Sequence, residues 1–448
     1  MSQLPCYESY KNSGVQWLGE IPSHWEVKRM KFLLSEKLKY GANESAESED
    51  KDQPRYIRIT DINDSGTLRE DTFKSLEIEK AQEYLLNDLD ILLARSGATV
   101  GKSYLHKKDK VNVACYAGYL IRARFNKENY DPQFINLFLQ SKAYWSWIES
   151  VNIQATIQNV SAEKYNDLAL SIPSLVEQKI IADFLDKRLA QVDALIAKQE
   201  TLLEKLVEQR VALISHAVTK GLNLDVEMKE SDVVLLGNIP NTWNVKRLKF
   251  LLSEKLKYGA NESAESEDKE NPRYIRITDI DDFGNLKDET FKSLESEKAQ
   301  EYLLDDLDIL LARSGATVGK SYLYKAESVG IACYAGYLIR ARLDQENYNP
   351  EFVNYFFQSK QYWDWISSIN IQATIQNVSA EKYNDLTLAI PPLEEQKQLI
   401  EYLKNEDEKF NRAIGKGKKL VHLLNEYRST LITQVVTGKI DVRNLNVN

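Results

Sequence analysis

The longest regular pattern in the chain runs from Leu175 to Lys220. Apolar residues fall there at Leu185, Leu189, Val192, Ile196, Leu203, Leu206 and Leu213. Spacings of three, four or seven put them on one helical stripe. Pro173 before the stripe and Gly221 after it suit a helix start and stop. Some 45 helical residues span about 65 Å. A second stripe, Leu403, Phe410, Ile414, Val421, Leu424 and Leu431, opens behind Pro391-Pro392. It is weaker in its middle, where Gly415 and Gly417 match Ala197 and Gln199 of the first and cost about 1 kcal/mol each. Stripes of this length predict a coiled coil in which each helix is the other's partner. The first helix carries seven basic and seven acidic residues, so it is not a polybasic arm.

Shorter patterns predict mixed α/β domains. Tyr56-Ile-Arg-Ile-Thr60 alternates, with Ile57 and Ile59 on one face and Tyr56, Arg58 and Thr60 on the other, as in a half-buried strand. Asp90-Ile-Leu-Leu-Ala94 and Tyr119-Leu-Ile-Arg-Ala-Arg124 read as more buried strands. Pro132 to Ser150 reads as one helix with an aromatic face, and Trp145 and Trp147 are expected in the core.

These elements occur twice. Leu18-Gly-Glu-Ile-Pro-Ser-His-Trp25 returns as Leu236-Gly-Asn-Ile-Pro-Asn-Thr-Trp243, an offset of 218 residues. At that offset Asp90–Leu105 returns unchanged as Asp308–Leu323, Ala114–Arg124 as Ala332–Arg342, and Asn152–Leu168 as Asn370–Leu386. From Leu175 and from Leu393 onward the copies diverge and keep mainly their apolar positions. A period of this length is a domain duplication, not a solenoid. The fold class is therefore α/β. Two near-identical domains, residues 1–172 and 222–390, alternate with two long helical segments, residues 173–221 and 391–448. An antiparallel coiled coil of the two helices would relate the domains by a pseudo-two-fold axis.

Composition narrows the class. The chain has 448 residues, 43% hydrophobic and 28% charged, an ordinary globular balance. No apolar window is long enough to span a membrane, the N-terminus lacks the pattern of a secretory signal, and the three cysteines have no metal or disulfide spacing. A cytoplasmic protein is expected. The net charge of −9 argues against nucleic acid at first sight. Glu44–Asp52 and Glu262–Glu270, however, each carry five acids and one lysine, and hold nearly all of that excess. Such runs are solvated loops, and a basic face elsewhere is compatible with them.

Catalytic chemistry is not legible. Gly97-Ala-Thr-Val-Gly101-Lys102-Ser103 imitates a phosphate-binding loop but has three residues between its glycines where four are needed. Four scattered histidines (His24, His106, His216 and His422) form no constellation, and no adenosylmethionine-pocket signature occurs. No catalytic residue, metal site or cofactor is assigned. What the repeats do offer is polar groups able to read nucleic acid. Arg95, Ser96, Thr99 and Lys102 surround two glycines, where arginine can fork onto a guanine edge while lysine and serine suit phosphates. Gln154, Thr156, Gln158 and Asn159 interleave amides and a hydroxyl with small apolar residues, and amides pair bidentately with adenine. Arg58 and Thr60 join the candidates from their strand. The second copy supplies Arg276, Thr278, Arg313, Ser314, Thr317, Lys320, Gln372, Thr374, Gln376 and Asn377. Capped turns with satisfied amides are the competing explanation for each group.

With this architecture the chain resembles the DNA-specificity subunits of type I restriction–modification systems. The markers are Trp17-Leu-Gly-Glu-Ile-Pro22 with Trp25, Ile390-Pro-Pro-Leu-Glu-Glu-Gln396 at the second helix entry, and Val436-Thr-Gly-Lys-Ile-Asp-Val442. Ile172-Pro-Ser-Leu-Val-Glu-Gln178 is the first-copy counterpart. The resemblance covers essentially the whole chain. It implies a non-catalytic subunit with two target-recognition domains, each reading one half of a bipartite, gapped sequence in double-stranded DNA. It further implies that the helices space the domains and bind two methyltransferase (modification) subunits. Restriction and motor subunits would join through the complex. Family members usually carry two different recognition domains, so near-identical ones are a departure and lead to an interrupted palindrome as target. The alternatives are a specificity subunit of a modification-only or type II-like complex, and a structural scaffold whose paired domains bind protein.

Overall fold

Both long stripes are single helices, Leu175–Lys220 and Leu393–Val436. The first stops where Gly221 takes a positive φ of 77°, a left-handed conformation that glycine adopts without penalty. The computed structural model describes residues 5–152, 158–223, 225–281, 284–370 and 377–445. The chain divides into two compact units, one of Met1–Glu200 with Lys419–Asn448, the other of Thr201–Lys418. Each unit therefore holds one recognition domain and parts of both long helices.

Within the first unit, Asp193 pairs with Arg428 at 2.9 Å. Ile181, Leu185 and Leu189 share a core with Leu431, Ile432 and Val435, so the two helical segments run antiparallel. Within the second unit, Arg210 pairs with Asp407 at 2.7 Å, while Ile214, Ala217 and Val218 pack in one core with Leu399, Ile400 and Leu403. The backbone N–H of Lys142 donates to Thr433 Oγ1 in one unit, and that of Lys360 to Ser215 Oγ in the other. These pairs stand at the same 218-residue offset as the sequence repeat.

Each recognition domain is built on a four-stranded antiparallel sheet. In the first copy its order is Lys39–Tyr40, Leu120–Ala123, Ile91–Ala94, Ser103–Leu105. Ile91, Leu93, Ile121 and Ala123 face the large core shared with the long helices, whereas Leu92, Ala94 and Leu120 face a smaller core around Ile57 and Tyr116. Burial on both faces explains the uninterrupted apolar run of Ile91–Ala94. The second copy repeats the sheet with Lys257–Tyr258, Leu338–Ala341, Ile309–Ala312 and Ser321–Leu323.

Three expectations change. The strand expected over Tyr56–Thr60 is Arg55–Ile57, fully buried and paired in parallel with Ala114–Tyr116. A 3-10 turn over Ile59–Asp61 follows it. The Asp61 carboxylate accepts from the backbone N–H of Arg58 at 2.8 Å and ends the ladder there. The helix expected over Pro132–Ser150 is two helices, Pro132–Phe138 and Lys142–Asn152. Ser141 Oγ donates to the Phe138 carbonyl at 2.6 Å and accepts from the Tyr144 N–H at 3.3 Å, and so makes the corner between them. Trp147 is core as expected, but Trp145 is about one-third exposed.

Candidate nucleic-acid interface

The loop after strand Ile91–Ala94 and the loop before the short helix Ala162–Asn166 are stitched together by backbone. The Val160 N–H donates to the Arg95 carbonyl at 2.8 Å, and the Gly97 N–H to the Gln158 carbonyl at 3.3 Å. Ser96 and Asn159 form an isolated antiparallel bridge. Arg95 thus joins the two loops at the sheet's end, and its own N–H donates to the Tyr119 carbonyl at 3.1 Å. Its guanidinium lies over Tyr40, 4.9 Å from the ring centroid, and 5.9 Å from that of Tyr119. Tyr40 is held in place because its hydroxyl accepts from the Ala162 N–H at 3.1 Å. Both tyrosines are exposed.

The second copy builds the same arrangement. Arg313 lies 4.7 Å from the Tyr258 centroid, and the Tyr258 hydroxyl accepts from the Ala380 N–H at 3.0 Å. The Val378 N–H donates to the Arg313 carbonyl at 2.8 Å, and Ser314 bridges Asn377.

The other sequence-derived candidates fall into distinct groups. Arg58 is spent inside the fold: its guanidinium donates twice to Asp61 and once to the Thr72 carbonyl, at 2.7–3.2 Å, and Thr60 leans on the same carboxylate. Arg276, Thr278 and Asp279 repeat this. Lys102 forms an ion pair with Asp64 at 2.7 Å, and that bond holds the Asp64 carboxyl below its ordinary range. Lys320 is the counterpart of Lys102 and is half-buried. Thr99 and Thr317 cap their own turns through the carbonyls of Ser96 and Ser314. Ser103 opens a strand and not a helix, so the loop before it lacks the helix N-terminus a phosphate-binding loop requires. Gln158, Asn159 and Asn377 are exposed beside Arg95 and Arg313. Gln154, Thr156, Gln372, Thr374 and Gln376 lie outside the described residues.

The tyrosines were missed by sequence reasoning. Identity between copies does not single out Tyr40, Tyr119, Tyr258 and Tyr337, because the segments around them are duplicated whole; it is their exposure in the fold, where aromatics are ordinarily buried, that does. Also unseen was the role of Arg122 and Arg124. Arg122 reaches Glu36 at 2.6 Å, while Arg124 bridges Glu36 at 2.7 Å and grips Asp90 at 2.8 Å, an internal network that fixes the sheet edge.

Each unit also has a cleft between its recognition domain and its helices, about 360 Å³ in the first and 410 Å³ in the second. In the second, Glu351 is gripped by Lys404 at 2.6 Å and Lys325 at 3.1 Å. Burial alone would raise that carboxyl, but the two lysines outweigh it and hold it below the usual range. Gln133 and Asp186 stand at the corresponding positions 133 and 186 of the first copy. Among the described residues no group of three or more His, Cys, Asp or Glu side chains could hold a metal ion, and no helix is long and apolar enough to cross a membrane.

Comparison with known proteins agrees with this architecture. Residues 22–205 and 240–419 each match the type I restriction modification DNA specificity domain. The chain is 26% identical over 405 residues to the type I restriction enzyme StySPI specificity subunit of Salmonella potsdam, covering 85% of this chain and 84% of that protein. It is 27% identical over 366 residues to the EcoKI specificity subunit of Escherichia coli K12, covering 77% and 75%. A solved chain from work on complex assembly and conformational transition of the type I R-M system has the same fold. Its TM-score is 0.70 at 13% identity, over 94% of this chain and 99% of that one. The chain belongs to the type I restriction–modification DNA specificity family and carries its domain twice.

Proposed function

We propose that this chain is the non-catalytic DNA-reading subunit of its complex, and that its target is an interrupted palindrome. Each recognition domain, residues 1–172 and 222–390, would bind one half-site of double-stranded DNA. The long helices would dock two methyltransferase subunits, with any restriction and motor subunits joining through the assembly, in the cytoplasm. Helix length would set the spacer: removing one heptad at facing places in both helices, about 10 Å, should shorten it.

The observation that carries this reading is where the copies agree and where they differ. Asp90–Leu105, Ala114–Arg124 and Asn152–Leu168, which contain the arginine, Tyr119 and both stitched loops, are unchanged at the 218-residue offset. The substitutions fall outside those loops, among them His106/Tyr324, Lys108/Ala326, Gln133/Glu351 and Leu137/Tyr355. Two reading surfaces of equal sequence would read equal half-sites, as in a homodimer.

The test is the methylated motif in host DNA, determined by modification-sensitive sequencing with and without this chain's gene. An inverted repeat with a fixed spacer is expected, and two unrelated half-sites would refute the symmetric target. The purified chain incubated with DNA and labelled adenosylmethionine should transfer no methyl group; transfer by the chain alone would refute the non-catalytic role.

A further inference from the structure

We propose that Arg95 and Arg313 each read a guanine through the major groove, so that the two half-sites carry a G·C pair at symmetry-related positions. The inference rests on the DNA-binding reading above and specifies what its central residue recognises.

Three observations support it. First, the charge is not taken up by an ion pair: among the described residues no carboxylate pairs with Arg95 or Arg313, whose guanidinium groups lie over tyrosine rings. Arg58, Arg122 and Arg124 of the same domain all have carboxylate partners. An arginine whose charge no carboxylate takes up keeps its fork for a partner outside the fold.

Second, the group is preorganised. Stacking on Tyr40 or Tyr258 restricts the plane of the guanidinium. The tyrosines are anchored in turn by the N–H groups of Ala162 and Ala380. The backbone beneath Arg95 is fixed on both sides, by the Tyr119 carbonyl and by the Val160 N–H. A phosphate contact needs charge within reach and tolerates a mobile lysine, whereas base reading needs a planar fork held in one orientation. The commonest specific use of such a fork is the paired acceptors O6 and N7 of guanine.

Third, the setting is open and duplicated. Tyr119 and Tyr337 are 58% and 60% exposed beside the arginine, so the stack lies at the surface with room for a partner.

The probe is a randomised duplex library selected with the full-length chain. The enriched duplex is then remade with 7-deazaguanine, which lacks the N7 acceptor, at each guanine in turn. One guanine in each half-site should be sensitive, its replacement weakening binding roughly tenfold to a hundredfold. On the symmetric target Arg95→Ala can set its altered domain on either half, so modifying one half-site should no longer weaken its binding, whereas modifying both should still do so through Arg313. That remaining sensitivity also shows that the variant is folded. Arg95→Lys should behave like Arg95→Ala, because lysine keeps the charge and loses the fork. An enriched inverted repeat indifferent to 7-deazaguanine, or a sensitivity to modification of a single half-site that survives in Arg95→Ala, overturns the guanine assignment and leaves the DNA-binding reading standing. Failure to enrich any duplex overturns that reading as well.

Discussion

Gln178 accepts a hydrogen bond from the backbone N–H of Asp131 at 2.8 Å while its own amide, fully buried, donates to the Pro173 carbonyl at 2.8 Å. One side chain thereby joins the entry of the long helix to the entry of Pro132–Phe138. Gln396 does the same in the other unit, accepting from Asn349 at 2.8 Å and donating to Pro391 at 2.9 Å. The glutamine that closes each Ile-Pro-x-Leu-x-x-Gln segment is a structural clamp that seats a recognition domain on its helix.

Replacing Gln178 with methionine keeps the volume but leaves a buried donor and acceptor without partners. The first unit should lose about 1–3 kcal/mol. Urea unfolding combined with hydrogen exchange over Pro132–Phe138 measures this, and Gln396→Met should act on the other unit alone. Unchanged exchange in Gln178→Met would show that the clamp is dispensable.

Arg210 is almost fully buried and grips Asp407 with two hydrogen bonds, at 2.7 and 2.9 Å, and Gln358 with a third at 2.8 Å. Asp407→Ala should destabilise the second unit by about 3 kcal/mol, because it strands a buried charge. The double variant Arg210→Met with Asp407→Leu removes both charges and should recover most of that loss. Calorimetric midpoints of the two variants decide it, and a double variant no better than the single would show that the charge is not the cause.

His106 is fully buried, and neither of its ring nitrogens finds a partner among the described residues. Burial lowers its pKa against the attraction of Asp90 and Asp88, so it is neutral in the fold. The unfolded chain takes up the proton near an ordinary histidine pKa of about 6.5. Stability should therefore hold above that pH and fall as the pH drops from there towards the depressed folded value. The second copy has Tyr324 here, whose hydroxyl donates to the Gly330 carbonyl at 2.5 Å, and it lacks this dependence. Thermal unfolding across that range should be steeper in pH for the wild type than for His106→Phe. Equal slopes would contradict the assignment.

Cys115 and Cys333 are fully buried, and burial pushes both thiols up to about 12, whereas Cys6 is exposed. A thiol reagent at mildly alkaline pH should label Cys6 alone in the native protein and all three cysteines after denaturation, because only the thiolate reacts. Rapid native labelling of Cys115 would show that its strand opens.

The internal repeat, both long helices and the buried strands could be read directly from the chain. Duplication at one offset is a property of the sequence itself, and a helix of this length declares itself through periodicity regardless of what it packs against. Leu175 and Lys220, the ends expected for the first helix, are its observed ends, because proline and glycine punctuation acts locally. The corner at Ser141 was invisible, since one serine hydroxyl bonding to the turn before it resembles any helical serine in sequence.

The candidate interface divides along the same line. Sequence could name Arg58, Arg95 and Lys102 as groups able to contact nucleic acid, but it could not say which of them the fold had already used. That depends on neighbours distant in sequence: Asp64 for Lys102, and Tyr40, Tyr119 and Ala162 for Arg95. Even Arg58, paired three residues away with Asp61, became a structural group only once the chain turned there to bring the carboxylate under it. Local periodicity and turn chemistry therefore determined the elements. Whether a given charge is available was decided by tertiary packing, because a side chain's partners are set by which strands and loops meet.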